Sequence, residues 1–181
     1  MPRLDMIDPT TATGNAKELL DGIQAKVGMT PNLYRIMANS PVALGGLLEF
    51  GGALAKGSLT AKLREQIALV VAESNGCDYC LAAHSALGKS LGLSEDAILD
   101  SRRGSAADTR TQAALAFAGA LVENRGHIDD ANLQHVRDAG YDDGAIVEII
   151  ATVALNTFTN YFNHVAETPV DFPEAVSLST A

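Results

Sequence analysis

Tryptophan is absent, aromatic residues make up only 5% of the chain, and cysteine occurs twice in 181 residues. With few aromatic or alternating β-branched stretches, a sandwich or barrel has little to build on, and the alanine-rich runs favour helices instead. Basic residues are also scarce, 13 Lys and Arg against 22 Asp and Glu for a net charge of −9. A surface of that sign repels polyanions, which argues against nucleic-acid or anionic-membrane partners. The N-terminus lacks the apolar core of a signal peptide, and no apolar run reaches membrane-spanning length without polar interruption. A cytoplasmic protein is expected, and in a reducing compartment two cysteines are not normally kept as a structural clip. What is present in quantity is hydrophobic residue, 47% of the chain, enough to fill one core. One domain over 1–181 is expected.

Helix signals run along the chain. Thr13 or Asn15 is placed to cap a helix ending near Val27, with Leu19, Leu20, Ile23 and Val27 on one face and Gly28 as its stop. "TPNLYRIMANSP" reads as a short helix between prolines. From Val42 to Lys56 apolar residues recur at three- and four-residue steps, interrupted by Gly45, Gly46, Gly51 and Gly52. Those glycines weaken a helix, so their expected use is close approach of a neighbouring one. "SLTAKLREQIALVVAESNG" reads as a helix capped by Ser58 or Thr60 and stopped at Asn75–Gly76, although "IALVVA" alone would also suit a strand. Further helices follow in "CDYCLAAHSALGKSL", "SEDAILDSRRG", residues 108–125, "DDANLQHVRDAG" and "DDGAIVEIIATVALNTFTNYFNHVAE". The tail over 168–181, with Pro169 and Pro173, should be extended. The fold class is all-α, built from antiparallel helix pairs.

The two cysteines sit in "NGCDYCLAAHSALG". On a helix, Cys77, Cys80 and His84 fall at roughly 0°, 300° and 340°, on one face. If Asn75–Gly76 is the turn of an antiparallel helix pair, residues whose numbers sum to about 151 face each other, which sets Glu65 within a turn of His84. The order Glu65, His84, then Cys80 or Cys77 is what an activated thiol needs: the carboxylate orients and charges the imidazole, and the imidazole takes the thiol proton. The first turn of a helix lowers a thiol pKa, which by itself favours Cys77 as the more acidic sulfur. The C-x-x-C spacing lets one sulfur close a disulfide on its oxidised neighbour. Two other readings stay open on the residues alone. Cys77, Cys80 and His84 are three ligands for a zinc ion, with Glu65 or water as a fourth; or the thiols are inert core filler.

The pattern E-x(11)-C-x-x-C-x-x-x-H, here Glu65, Cys77, Cys80 and His84, resembles the core of the alkylhydroperoxidase D (AhpD) family within the carboxymuconolactone decarboxylase superfamily. The likeness runs from Leu59 to Ile98, centred on a core motif over 58–100, and "ALNTFTNYFNHVAETPVDFP" resembles the peroxidase-related branch. The resemblance implies an all-helical homo-oligomer, a trimer or hexamer, that reduces a hydroperoxide with electrons from a dithiol such as a lipoyl protein. The leading expectation needs no cofactor and no metal. It assigns attack on the peroxide to Cys80, resolution to Cys77, and a proton relay to Glu65 and His84. One departure stands out: the family pattern carries a further relay histidine where this chain has Tyr79. Tyrosine cannot replace a neutral imidazole as base, though its hydroxyl can pass a hydrogen bond.

Asn156, Asn160 and Asn163 recur at four- and three-residue steps beside His164. Asn160 and His164 are therefore candidates for a relay or pocket wall, against the alternative of amides meeting backbone or an interface. Two rival functions accompany the peroxidase reading: a non-catalytic redox sensor or thiol–disulfide exchange protein, and a metal-dependent lyase or hydrolase.

Overall fold

Oxygen-bearing caps and left-handed glycines divide the chain into helices. The computed structural model describes residues 1–178; the last three positions of the expected extended tail lie outside the described residues. In chain order the helices are α1 (Gly14–Val27), α2 (Asn32–Met37), α3 (Pro41–Leu54), α4 (Ala61–Asn75), α5 (Asp78–Ser90), α6 (Glu95–Arg102), α7 (Thr109–Glu123), α8 (Asp130–Asp138) and α9 (Asp143–Ala166), with no strand among the described residues. Thr60, Ser94, Asp108, Asp129 and Asp142 each accept a hydrogen bond from the backbone N–H three residues on, at the starts of α4, α6, α7, α8 and α9. Each such cap stabilises by about 1 kcal/mol. Gly28 and Gly76 end α1 and α4 in the left-handed conformation, at φ 84° and 64°, where L side chains are strained.

α4 lies at the centre, packed against α5, α6, α7 and α9. Residues 67–72 are apolar on every side, and Ile67, Leu69, Val71 and Ala72 are completely buried. That all-round pattern is how a surrounded helix differs from a surface one, and it explains why "IALVVA" is helical despite its β-branched residues. Leu115 of α7 and Ile149 of α9 close the main core around it. A second cluster joins Leu69 to Tyr79, Cys80 and Ile98, and a third joins Leu20 and Ile23 of α1 to Met37 and Leu44. Gly76 turns the chain back on itself, so α5 runs antiparallel to α4.

The glycines of α3 differ from the expectation. A Cβ added at Gly45, Gly46 or Gly52 would meet nothing within 4 Å, and at Gly51 only the Leu155 side chain at 3.7 Å. The helix packs on its neighbours through Leu44 and Leu47 instead, while Gly51 and Gly52 leave room for a cavity between α3 and α9.

α9 is the one helix among the described residues long and apolar enough to cross a membrane by length and composition. Its inner face is core, with Ile146, Ile149 and Val153 against α4 and α7. Its outer face leaves Val147, Ile150, Phe158, Tyr161 and Val165 exposed. Residues 169–178 are non-helical and fold back over the bundle: Asp171 accepts from the Asn32 backbone N–H at 2.8 Å, and Arg102, paired with Glu73 at 2.7 Å, donates to the Val176 carbonyl.

Candidate active site

Cys77 is the N-cap of α5. Its Sγ accepts from the backbone N–H of Cys80 at 3.3 Å, so that sulfur sits at the positive end of the helix dipole. Cys80 lies one turn in. The two are joined as a disulfide with Cα atoms 5.3 Å apart, a span that suits such a bond. The sulfurs differ in access. Both residues are almost wholly buried, but Cys80 lines a cavity of about 310 Å³, with Leu33, Leu47, Leu155 and Phe172 among its apolar walls. Cys77 faces the core beside Leu69 and Ala72.

His84 follows Cys80 by one helical turn and lines the same cavity. Its Nδ1 lies 2.7 Å from Glu65 Oε2, both side chains being about a fifth exposed. The antiparallel register across Gly76 thus brings Glu65 to His84. With Nδ1 donating to the carboxylate, Nε2 is the nitrogen left for chemistry. Glu65 and His84 also border a second cavity of about 590 Å³ that shares Tyr34, Leu48 and Asn156 with the first. The two cavities adjoin along these shared residues.

Tyr79 reaches toward α2 and the tail. Its hydroxyl accepts from the Leu33 backbone N–H at 3.2 Å, and its ring meets Phe172 edge-on with centroids 5.8 Å apart. Burial, with the nearby Asp171 carboxylate, pushes the phenol far above its ordinary pKa, so it remains protonated and is no base. It ties α2 and the tail to α5 and forms part of the cavity wall. Tyr79→Phe should lower stability by about 1–3 kcal/mol in urea denaturation, because the Leu33 N–H loses its partner. It should leave the pH dependence of thiol oxidation unaltered.

The α9 amides divide their roles. Asn160 is fully buried and accepts from Asn75 Nδ2 at 2.9 Å, away from the cavity walls. His164 is exposed on the outer side of the helix, so it is not gathered with the others. The amide that reaches the sulfur is Asn163, whose Nδ2 stands 3.3 Å from Cys80 Sγ. Asn156 lines both cavities while donating to the Thr152 carbonyl at 2.8 Å. Tyr34 also lines both, and burial, with Glu65 nearby, raises its pKa. Tyr34 carried no motif; the asparagine ladder was visible, but which rung meets the cysteine depends on how α9 is rotated against α5. Among the described residues no three His, Cys, Asp or Glu side chains are disposed to share a metal ion, and in the disulfide neither sulfur is a thiolate ligand.

Residues 41–123 match the model of the carboxymuconolactone decarboxylase family. No curated protein matches the sequence. Among solved structures the chain is similar to an uncharacterized peroxidase-related protein with an alkylhydroperoxidase AhpD core from Ralstonia eutropha, at 20% identity over 94% of this chain and 92% of that one, TM-score 0.85. It is also similar to a peroxidase-related protein from Silicibacter sp., at 25% identity over 92% and 89%, TM-score 0.82. A third is the debrominase Bmp8, solved with 2,3,4-tribromopyrrole, at 18% identity over 93% and 91%, TM-score 0.80. The matched segment contains α3 to α7 with Glu65, both cysteines and His84, and the whole helical arrangement is that of the AhpD-like structures. Residues 41–123 thus form a carboxymuconolactone decarboxylase family segment, carried in a chain with the AhpD-like fold.

Proposed function

We propose that the protein is a single-domain, cytoplasmic thiol peroxidase that reduces a hydroperoxide to its alcohol and cycles the Cys77–Cys80 disulfide. The observation that carries this reading is the placement of Cys80 on an apolar cavity whose wall also holds His84, already paired to Glu65. The thiolate of Cys80 attacks the outer oxygen of the hydroperoxide and breaks the O–O bond. The alkoxide takes a proton from the His84 imidazolium and leaves as the alcohol; Cys80 becomes a sulfenic acid. The Cys77 thiol then attacks that sulfur, the hydroxyl departs as water, and the disulfide closes. A dithiol reductant, such as a lipoyl protein, returns two electrons by exchange and is itself left as a disulfide.

Steady-state turnover tests this. Reduced protein supplied with cumene hydroperoxide and dihydrolipoamide should consume both in equal amounts, many times per subunit. A single, slow oxidation without turnover would instead identify a redox sensor. The likeness to a debrominase supports a second reading, since a dithiol that removes bromide from an arene also ends as this disulfide: arene bromide and two thiols give arene, bromide and disulfide. Release of bromide from 2,3,4-tribromopyrrole, with hydroperoxide inert, would favour it.

The homo-oligomer we propose forms through α9. Val147, Ile150, Ala154, Phe158, Tyr161 and Val165 are exposed at three- and four-residue steps, the seam pattern of helices packing on helices of the same kind, so the partner is a second copy of this chain. Replacing both Phe158 and Tyr161 by glutamate should reduce the mass in sedimentation equilibrium to that of one chain while the helical circular dichroism is kept.

A further inference from the structure

Asn163 is the only member of the α9 ladder whose amide is divided between the sulfur and nothing. Its side chain is almost wholly buried, with 4% of the residue exposed. Nδ2 lies 3.3 Å from Cys80 Sγ, while Oδ1 is buried without a hydrogen-bond partner, and the residue lines the cavity that Cys80 lines. The oxygen of Asn160 is taken by Asn75. A buried carbonyl without a donor costs stability, and a fold that keeps one beside a reactive sulfur leaves it open for a ligand that brings a donor.

We propose that Asn163 is a substrate-binding residue of the reaction above: its amide N–H holds the Cys80 sulfur, and its unpartnered carbonyl accepts the O–H of an incoming hydroperoxide. This inference rests on the peroxidase reading. The oxygen that the thiolate must attack is the one bearing the hydrogen. A carbonyl that accepts this hydrogen on the same side chain that touches the sulfur places that oxygen beside the nucleophile. The N–H meanwhile stabilises the thiolate charge before attack. As the O–O bond breaks, its electron pair leaves on the alkoxide, which is protonated by His84. The attacked oxygen keeps its hydrogen and stays on sulfur as the sulfenic acid, still within reach of the same carbonyl until Cys77 displaces it as water.

The test uses two readouts on reduced protein. Alkylation of Cys80 by iodoacetamide across pH, read by mass spectrometry, reports thiolate alone; stopped-flow oxidation by cumene hydroperoxide reports thiolate and substrate placement together. In Asn163→Ala the alkylation profile should move up by about one pH unit, a tenfold loss of thiolate near neutrality, and oxidation should fall by about a further tenfold at equal thiolate. Asn163→Asp has the same shape, which protects the fold. Its charge should raise the profile more, but it keeps an oxygen acceptor, so its oxidation at equal thiolate should stay near that of the wild type. An unchanged alkylation profile in both variants, or oxidation of Asn163→Ala that falls only in step with its thiolate, overturns the proposal. Wild-type protein inert to hydroperoxide would overturn the peroxidase reading and the carbonyl's role with it, whatever the alkylation profiles.

Discussion

Cys80→Ser should abolish hydroperoxide consumption, whereas Cys77→Ser should consume one equivalent and stop with a sulfenic acid on Cys80 that dimedone traps. The asymmetry follows from access. Cys80 lines the cavity, and Cys77 is sealed at the helix start beside Leu69. The helix dipole alone favours Cys77 as the more acidic thiol, since its Sγ accepts the Cys80 backbone N–H. Acidity without a route to the peroxide produces no reaction, so access decides. Both variants should fold: serine is among the best N-cap residues, so Cys77→Ser preserves the start of α5, and a hydroxyl at position 80 can still meet the Asn163 amide. Peroxide consumption retained in Cys80→Ser, with the sulfenic acid trapped on Cys77, would reverse the assignment.

The second large effect is expected at Glu65. Its carboxylate stands 2.7 Å from His84 Nδ1, and in the proposed reaction its part is to position the imidazole and balance its charge. Glu65→Gln keeps the length and one acceptor but removes the charge that supports an imidazolium. The single-turnover rate with hydroperoxide should fall roughly hundredfold, within the range that positioned general acids contribute. His84→Gln should fall at least as far, and the double variant no further than His84→Gln alone, because the two groups act as one unit. Additive losses would mean that Glu65 works by a separate route.

The Glu65–His84 contact is legible in the sequence because it depends on local geometry alone: two capped helices, one left-handed glycine at Gly76 and antiparallel register. The same holds for the helix order, where a cap such as Thr60 and stops such as Gly28 and Gly76 mark boundaries within a few residues. What was not readable depends on long-range placement. Leu33 and Tyr34 enter the cavity from α2, Leu155 and Asn163 from α9, and Phe172 from the tail, and no local pattern announces which of their faces turns inward. The asparagine ladder shows the limit well. Asn160 and Asn163 lie one turn apart, yet one meets Asn75 and the other Cys80, a choice made by a modest rotation of α9. His164, next in the chain, is carried to the outer surface by the same rotation. The glycines of α3 misled for a related reason, since weak helix formers serve equally to admit a neighbour or to leave a hollow.

The central claim is that one hydroperoxide molecule converts one pair of thiols into the Cys77–Cys80 disulfide. Mixing fully reduced protein with one equivalent of cumene hydroperoxide, quenching with acid and counting thiols and alcohol together tests it most directly. The account predicts loss of both thiols, one cumyl alcohol per subunit and a peptide linked through residues 77 and 80. Two free thiols remaining beside unreacted hydroperoxide would contradict it.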